Sequence, residues 1–167
     1  MTTFSDLGLH ENIVSAITEL GFETPTEIQQ KAIPVFIERT SDLVALAQTG
    51  TGKTAAFGLP ILHHLDTEKK FTQALIISPT RELCIQITND LKKYSKNMRG
   101  VRITAVYGGS SISEQIRELR QGAHIIVATP GRLIDLIDRK AVKIEQVETV
   151  VLDEADEMLN MGFQEDI

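Results

Sequence analysis

Apolar positions along the chain follow a helical period first and an alternating βα rhythm afterwards. Leu9, Ile13, Val14, Ile17 and Leu20 lie on one face of a predicted helix over Leu9–Leu20, and Gly21 ends it. Thr24-Pro25-Thr26-Glu27 reads as a capping box with proline at the first helical position. The helix it opens carries Ile28, Gln29 and Ile33 until Pro34 kinks or breaks it. Asp42–Leu46 is short, apolar and β-leaning, so a strand is expected over Leu43–Ala47, followed by a helix from about Lys53 to Leu65. Strands are then expected over Ala74–Ser78, Val101–Tyr107, His124–Ala128 and Thr149–Leu152. The intervening helices are Arg81–Lys96, Ser113–Arg120 and Gly131–Arg139, with a last one near Ala155–Asn160. Such alternation implies right-handed crossovers and an α/β fold of three layers: a parallel sheet with helices on both faces.

In sheets of this kind, ligands sit beyond the carboxyl ends of the strands. Each expected strand ends there in something polar or glycine-rich. The first leads into Ala47-Gln48-Thr49-Gly50-Thr51-Gly52-Lys53-Thr54 and the second into Ser78-Pro79-Thr80-Arg81-Glu82-Leu83. The others lead into Gly108-Gly109, Thr129-Pro130-Gly131-Arg132 and Asp153-Glu154-Ala155-Asp156. One such end could be a plain connection, but five on one edge describe a functional face.

The stretch from Gln48 to Thr54 carries the most specific chemistry. Strand, glycine loop, Lys-Thr and helix make the layout of a phosphate-binding loop. Gly50 and Gly52 let the backbone turn sharply and bring N–H groups against phosphate oxygens. The helix that follows points its positive end at the same anion. Lys53 can reach the β- and γ-phosphates, and the Thr54 hydroxyl can ligate Mg²⁺. Ala47 stands where the general motif has its first glycine. The loop therefore predicts a nucleoside triphosphate as ligand.

The carboxylates complete that chemistry. Thr149-Val150-Val151-Leu152 reads as a buried strand, and Asp153 at its tip suits Mg²⁺, held through water. Glu154 is placed to orient and deprotonate the water that attacks the γ-phosphate. An acidic helix N-terminus alone would be ordinary, since the dipole favours it. Together with the phosphate loop it points to hydrolysis. Thr129-Pro130-Gly131-Arg132 places a second ready anion site at a helix start. Arg117 and Arg120 read as solvated surface.

Composition narrows the setting. The 167 residues read as one domain, with 42% hydrophobic and 24% charged residues, ordinary for a soluble globular chain. No apolar run approaches a membrane span, no signal-peptide pattern opens the chain, and the single cysteine fits a reducing cytoplasm. Cys84 lies at helical spacing with Ile87 and Leu91 and reads as a buried packing thiol. His10, His63, His64 and His124 show no zinc spacing with it. The net charge of −6 argues at first against nucleic acid, but eight acids and no base lie in residues 144–167. The preceding residues carry a small positive balance.

These motifs, in this order, resemble the DEAD-box ATP-dependent RNA helicases. The resemblance extends upstream to Gly21-Phe22-Glu23-Thr24-Pro25-Thr26-Glu27-Ile28-Gln29, similar to that family's Q motif with Phe4 as its isolated aromatic. Downstream it reaches Met161-Gly162-Phe163, with wording close to bacterial members of the cold-shock branch. Ala47 follows the family as well. The resemblance implies a RecA-like P-loop NTPase lobe over 31–167, preceded by a Q-motif helical extension over 1–30. It implies that Gln29 reads adenine with a bidentate amide and Phe4 packs against the base, that Phe22 joins the nucleotide-binding set, and that the ligand is ATP with Mg²⁺. It also implies that Thr80, Arg81, Gly109, Thr129, Gly131 and Arg132 hold the sugar-phosphate backbone of single-stranded or short duplex RNA.

Family members have a second RecA-like lobe that supplies arginines for hydrolysis, and a Ser-Ala-Thr motif later in the first lobe that partners Asp156. Both are expected beyond Ile167. The chain is then read as a piece that binds nucleotide with little or no turnover alone. In RecA-like sheets the next strand inserts between the phosphate-loop strand and the Asp-Glu strand, so Leu43–Ala47 and Thr149–Leu152 are not expected to be ladder neighbours. A non-enzymatic clamp, or a P-loop ATPase acting on DNA or protein, are the rival readings. The Q motif and Asp-Glu-Ala-Asp disfavour the last.

Overall fold

Four short strands pair in parallel in the order β2-β3-β1-β4, namely β1 (Ala74–Ile77), β2 (Ile103–Val106), β3 (Ile125–Ala128) and β4 (Thr149–Leu152). The structure is a computed structural model and describes residues 2–167. The register aligns the strand ends: Ile77 pairs with Ala128 and with Leu152, and Val106 pairs with Ala128. All four chains therefore leave the sheet at one edge, as the α/β reading requires. The residues that follow β1, β3 and β4 hook onto a neighbouring strand: the N–H groups of Ser78, Thr129 and Asp153 donate to the carbonyls of Ala128, Val106 and Ile77.

The chain forms two compact units. One comprises residues up to Asp66 with Asp90–Arg99, the other Thr67–Asn89 with Gly100–Ile167. Helix α4 (Arg81–Tyr94) starts in the second and ends in the first. The boundary expected between residues 30 and 31 lies within a helix of the first unit.

The first unit holds a 3-10 turn (Ser5–Leu7), α1 (Glu11–Glu19), α2 (Glu27–Glu38) and α3 (Lys53–His64). Its core includes the fully buried Ile13, Ile17, Ile33, Leu59, Leu62 and Leu91. One expectation is narrowed here and one corrected. Helix α2 runs through Pro34, so of the kink or break expected there the break does not occur, and packing of Ala32 and Ile33 in the core outweighs one lost backbone bond. Its N-cap is Thr26, and the Gln29 side chain reaches back to the Thr26 N–H, so the box is Thr26–Gln29 and not Thr24–Glu27.

The expected strand over Leu43–Ala47 is absent. Residues 42–48 enter no ladder, and Val44 and Leu46 are 91% and 94% exposed. Apolar β-leaning residues make a strand only where a neighbouring strand takes their N–H and C=O groups. Strand β4 pairs with β1 alone, and the expected arrangement of two strands with a slot between them is not tested, because Leu43–Ala47 forms no strand.

In the second unit, α5 (Ile112–Arg120) and α6 (Pro130–Asp138) cover one sheet face. Leu75, Val106, Ile126 and Ala128 pack there with Leu133, Leu136 and Ile116. The opposite face is also buried at Ile76, Ile125 and Val127. Strand β4 departs from its reading as buried, with Val150 57% and Leu152 40% exposed. An edge strand has one neighbour, and its apolar run alone does not reveal that one face lies open. Cys84 is buried as expected, its Sγ 3.0 Å from Ser78 Oγ, and burial pushes the thiol up to about 11. Arg117 and Arg120 are exposed, as read.

Candidate functional site

The loop from Gln48 to Thr54 lies wholly in the first unit and turns into α3 at Gly52, its N-cap. Gly50 and Gly52 adopt φ of +80° and +86°, a conformation that side chains resist. At Gly52 space is also closed, because a Cβ would run into the Gln29 amide nitrogen. The loop is braced on one side by α2. Thr26 Oγ1 donates to the Thr51 carbonyl at 2.9 Å, and Gln29 Nε2 donates to the Gly52 carbonyl at 3.1 Å. Within the loop Thr51 Oγ1 donates to the Gln48 carbonyl at 2.6 Å.

That bracing has a geometric consequence. In a planar trans peptide the C=O and the following N–H point in opposite directions. Fixing the carbonyls of Thr51 and Gly52 toward α2 turns the N–H groups of Gly52 and Lys53 the other way. They join the free N–H groups of the first turn of α3, a helix of 12 residues. Gln48, Thr49 and Gly50 are exposed and Thr51 to Thr54 partly so, which leaves the loop open to an anion.

Gln29 is 3% exposed, and its side chain is used at both ends, with Oε1 accepting from the Thr26 N–H at 2.9 Å. Each end of an amide has capacity for two bonds. One lone pair and one N–H therefore remain, the pair that bidentate adenine recognition needs. Phe4 is 4% exposed, with its ring centroid 5.9 Å from that of Phe22, and Phe22 meets Tyr94 edge-on at 5.7 Å. Phe4 thus sits inside an aromatic row of the first unit, and the half-buried Phe22 is the member with more open ring surface.

The other residues singled out in the sequence lie in the second unit. Asp153 is 8% exposed at the end of β4. Glu154, next in the chain, has φ 53° and ψ 49°, a left-handed conformation rare for a residue other than glycine, asparagine or aspartate. Arg39 and Lys140 share that conformation at helix C-termini, whereas Glu154 adopts it at a helix start, beside the strand tip where strained residues often serve function. Glu154 lies at the start of α7 (Ala155–Asn160), where Asp156 is exposed. The Asp153 carboxylate, like the Thr54 hydroxyl of the first unit, is by itself a hard oxygen donor of the kind Mg²⁺ takes, an ion that keeps several waters and needs few protein ligands. Among the described residues no three His, Cys, Asp or Glu groups gather as a dedicated metal cage.

Thr80, Arg81, Gly109, Thr129, Gly131 and Arg132 all follow strand ends of this unit, and Thr80, Arg81, Gly109 and Gly131 are exposed. Thr80 Oγ1 accepts from the Leu83 N–H at 3.2 Å, capping the start of α4. The Arg81 guanidinium lies over the Tyr107 ring at 5.1 Å. Arg132 donates from both terminal nitrogens to the Ser110 carbonyl, each at 3.2 Å, and from Nη1 to Gln115 Oε1 at 2.8 Å. Two arginines therefore flank the loop after β2. Sequence reasoning missed Thr26 as N-cap and loop brace, and Gln115. The signal for Gln115 was a polar residue within the apolar stripe Ile112, Ile116, Leu119 of α5.

Among the described residues no helix is long and apolar enough to cross a membrane. The model of the DEAD/DEAH box helicase family matches residues 26–167. The chain is 56% identical over 167 residues to the ATP-dependent RNA helicase CshA of Listeria monocytogenes, spanning all of this chain and 32% of that protein. It is 54% identical to a DEAD-box ATP-dependent RNA helicase CshA of Bacillus cereus, again over all of this chain and 31% of the relative. Among solved structures, a DEAD box protein from Methanococcus jannaschii superposes with a TM-score of 0.94 at 43% identity, covering 99% of this chain and 45% of that one. The chain thus spans about a third of the length of the curated relatives it matches. With a family model over most of its length and the same parallel fold, this chain belongs to the DEAD/DEAH box helicase family.

Proposed function

We propose that the chain is the ATP-binding lobe of an RNA-dependent ATPase that remodels or unwinds short RNA duplexes with ATP and Mg²⁺. The observation that carries the reading is the bracing of Thr51 and Gly52 by Thr26 and Gln29, which aims backbone N–H groups away from α2. Gln48 to Thr54 wrap the phosphates, and Lys53 meets the β- and γ-phosphates as a point charge. Gln29 reads adenine with its remaining lone pair and N–H, and Phe22 with Phe4 behind it backs the base. Thr54 and Asp153 each offer the kind of hard oxygen donor that would ligate Mg²⁺, directly or through water, and the ion would supply neutralisation of charge on the nucleotide phosphates. Glu154 orients a water and accepts its proton as the water oxygen bonds to the γ-phosphorus and the bridging oxygen leaves with ADP.

RNA is held on the other strand ends by Thr80, Arg81, Gly109, Thr129, Gly131 and Arg132. Contacts of this type go to phosphate and sugar, so they position a strand without reading its sequence. A few placed N–H groups and arginines do this on an acidic chain. Relatives about three times as long supply the second lobe in this reading, so the chain alone binds nucleotide with little turnover, in the cytoplasm. Calorimetry with ADP and an ATPase assay with and without single-stranded RNA test it. Expected are ADP binding by this chain and RNA-stimulated hydrolysis only by the full-length protein. Failure to bind any nucleotide overturns the reading.

A further inference from the structure

We propose that Gln115 is a positioning residue for the RNA-binding face, fixing the loop after β2 and the start of α6 in a single arrangement through its side-chain amide. The proposal rests on the reading of this face as an RNA site. Gln115 is 5% exposed, on the inward stripe of α5 between Ile112 and Leu119. A buried amide is destabilising there unless both its ends are bonded. Both are: Nε2 donates to the Tyr107 carbonyl at 3.1 Å, and Oε1 accepts from Arg132 Nη1 at 2.8 Å. Arg132 in turn donates twice to the Ser110 carbonyl. The four-residue loop Tyr107–Ser110 is thus held by the carbonyls at its two ends, one directly by Gln115 and one through Arg132.

Between those anchors lie Gly108 and Gly109, both exposed, with Gly109 at φ +77°. Paired glycines have the freest backbone of any residues. Left unanchored, they would have to be ordered by the RNA itself, and that entropy would be subtracted from affinity. Gln115 orders them beforehand. The same amide orients Arg132 at the first turn of α6, next to Thr129 and Gly131. One side chain that touches no RNA therefore sets the geometry of two neighbouring anion contacts.

The test compares wild type, Gln115→Met and Gln115→Glu. Methionine keeps the volume and removes both hydrogen bonds, while glutamate keeps the acceptor for Arg132 and loses the donor to Tyr107. Affinity for a fluorescein-labelled oligo(U) RNA is measured by anisotropy across a salt series, and backbone amide exchange is followed by NMR. Gln115→Met is expected to weaken binding roughly tenfold, as for one lost charge-assisted bond, with the salt slope unchanged because no phosphate contact is removed. Exchange should accelerate at Gly108 and Gly109 while Ile125–Ala128 stays protected. Gln115→Glu should recover part of the affinity, and it decides the matter if the methionine variant does not fold. Wild-type affinity with unaltered loop exchange in the variants overturns the proposal. So does a salt slope reduced by about 0.7, which would make Gln115 part of a phosphate contact, or equal loss of protection in the Ile125–Ala128 strand. Wild type that binds no oligo(U) overturns the RNA reading and the proposal with it.

Discussion

Gln29 Nε2 and the Gly52 carbonyl lie 3.1 Å apart across 23 positions of sequence, joining the first turn of α2 to the residue that opens α3. The contact explains why position 52 must be glycine twice over: its φ is left-handed, and a Cβ would meet the glutamine amide. Gly52→Ala is expected to destabilise the chain by about 1–2 kcal/mol from backbone strain alone, read in urea denaturation. It should also abolish ADP binding. Adding Gln29→Ala relieves the clash but not the strain, and it also removes the bonds to Thr26 and Gly52, so the double variant should regain neither full stability nor affinity. Full ADP affinity in Gly52→Ala would sink the account of the loop.

Base selectivity follows from the same side chain. With one lone pair and one N–H left on the Gln29 amide, ADP should bind more tightly than GDP by roughly 1–3 kcal/mol, the value of one bidentate contact. Gln29→Met should bring the two affinities together and weaken both, since it also releases the Gly52 carbonyl. Equal affinities for ADP and GDP in wild type, by calorimetry, would remove the adenine assignment.

Strand β4 and helix α7 are found where the sequence places them, because each is bounded by residues with a local signal: an apolar run that stops at Asp153, and a helix that starts at Ala155. The phosphate loop was legible for the same reason, its glycines and lysine being fixed by local geometry. Leu43–Ala47 has equal apolar character and makes no strand, since pairing is a property of two segments and the pattern of one cannot report it. The open face of β4 at Val150 and Leu152 escaped for that reason too. By spacing alone Gln29 is an ordinary helix position, and its bonds to Thr26 and Gly52 are visible only once α2 and the loop are folded together.

His63 sets a pH dependence in the first unit. Its ring stacks on His10 at 4.2 Å, and Nδ1 accepts the His10 backbone N–H at 3.2 Å. Partial burial first, then the nearby His10, His64 and Arg39, lower its pKa below the usual histidine value near 6.5. The unfolded chain then binds the proton more readily, so stability is complete above about pH 6.5 and falls as pH drops through the folded value. His63→Asn keeps an acceptor for His10 without titrating. Its urea midpoint should vary less between pH 8 and 5 than that of wild type. Identical pH profiles would show that His63 does not carry the effect.

Arg81 gives the salt dependence of RNA binding. It is exposed beside Tyr107, free to meet a phosphate. Arg81→Ala should weaken oligo(U) and oligo(A) alike and reduce the salt slope by about 0.7, as expected for one single-strand phosphate contact. Arg132→Ala should also weaken both oligomers and reduce the slope by a similar amount, and in addition should loosen the loop after β2, whose Ser110 carbonyl it holds. A loss confined to one oligonucleotide sequence would contradict backbone recognition.

Glu154 separates chemistry from conformation at a single position. Its φ of 53° sits in a region where side chains are strained, by about 1–2 kcal/mol for an ordinary residue and more for a β-branched one. Glu154→Gly removes that strain but adds freedom to the unfolded chain, so its stability should equal or exceed wild type by up to about 1 kcal/mol. Glu154→Val should lose stability instead. Glu154→Gln keeps the side-chain length and strain, leaving the urea midpoint unchanged. In the full-length protein, however, it should slow ATP hydrolysis by roughly 10²–10⁴-fold, the usual contribution of a general base, with ATP binding retained. The two readouts are independent: the midpoint reports backbone conformation, and the hydrolysis rate reports the carboxylate. Parental hydrolysis in Glu154→Gln would move water activation to another residue, and a Glu154→Gly less stable than Glu154→Val would contradict the left-handed backbone.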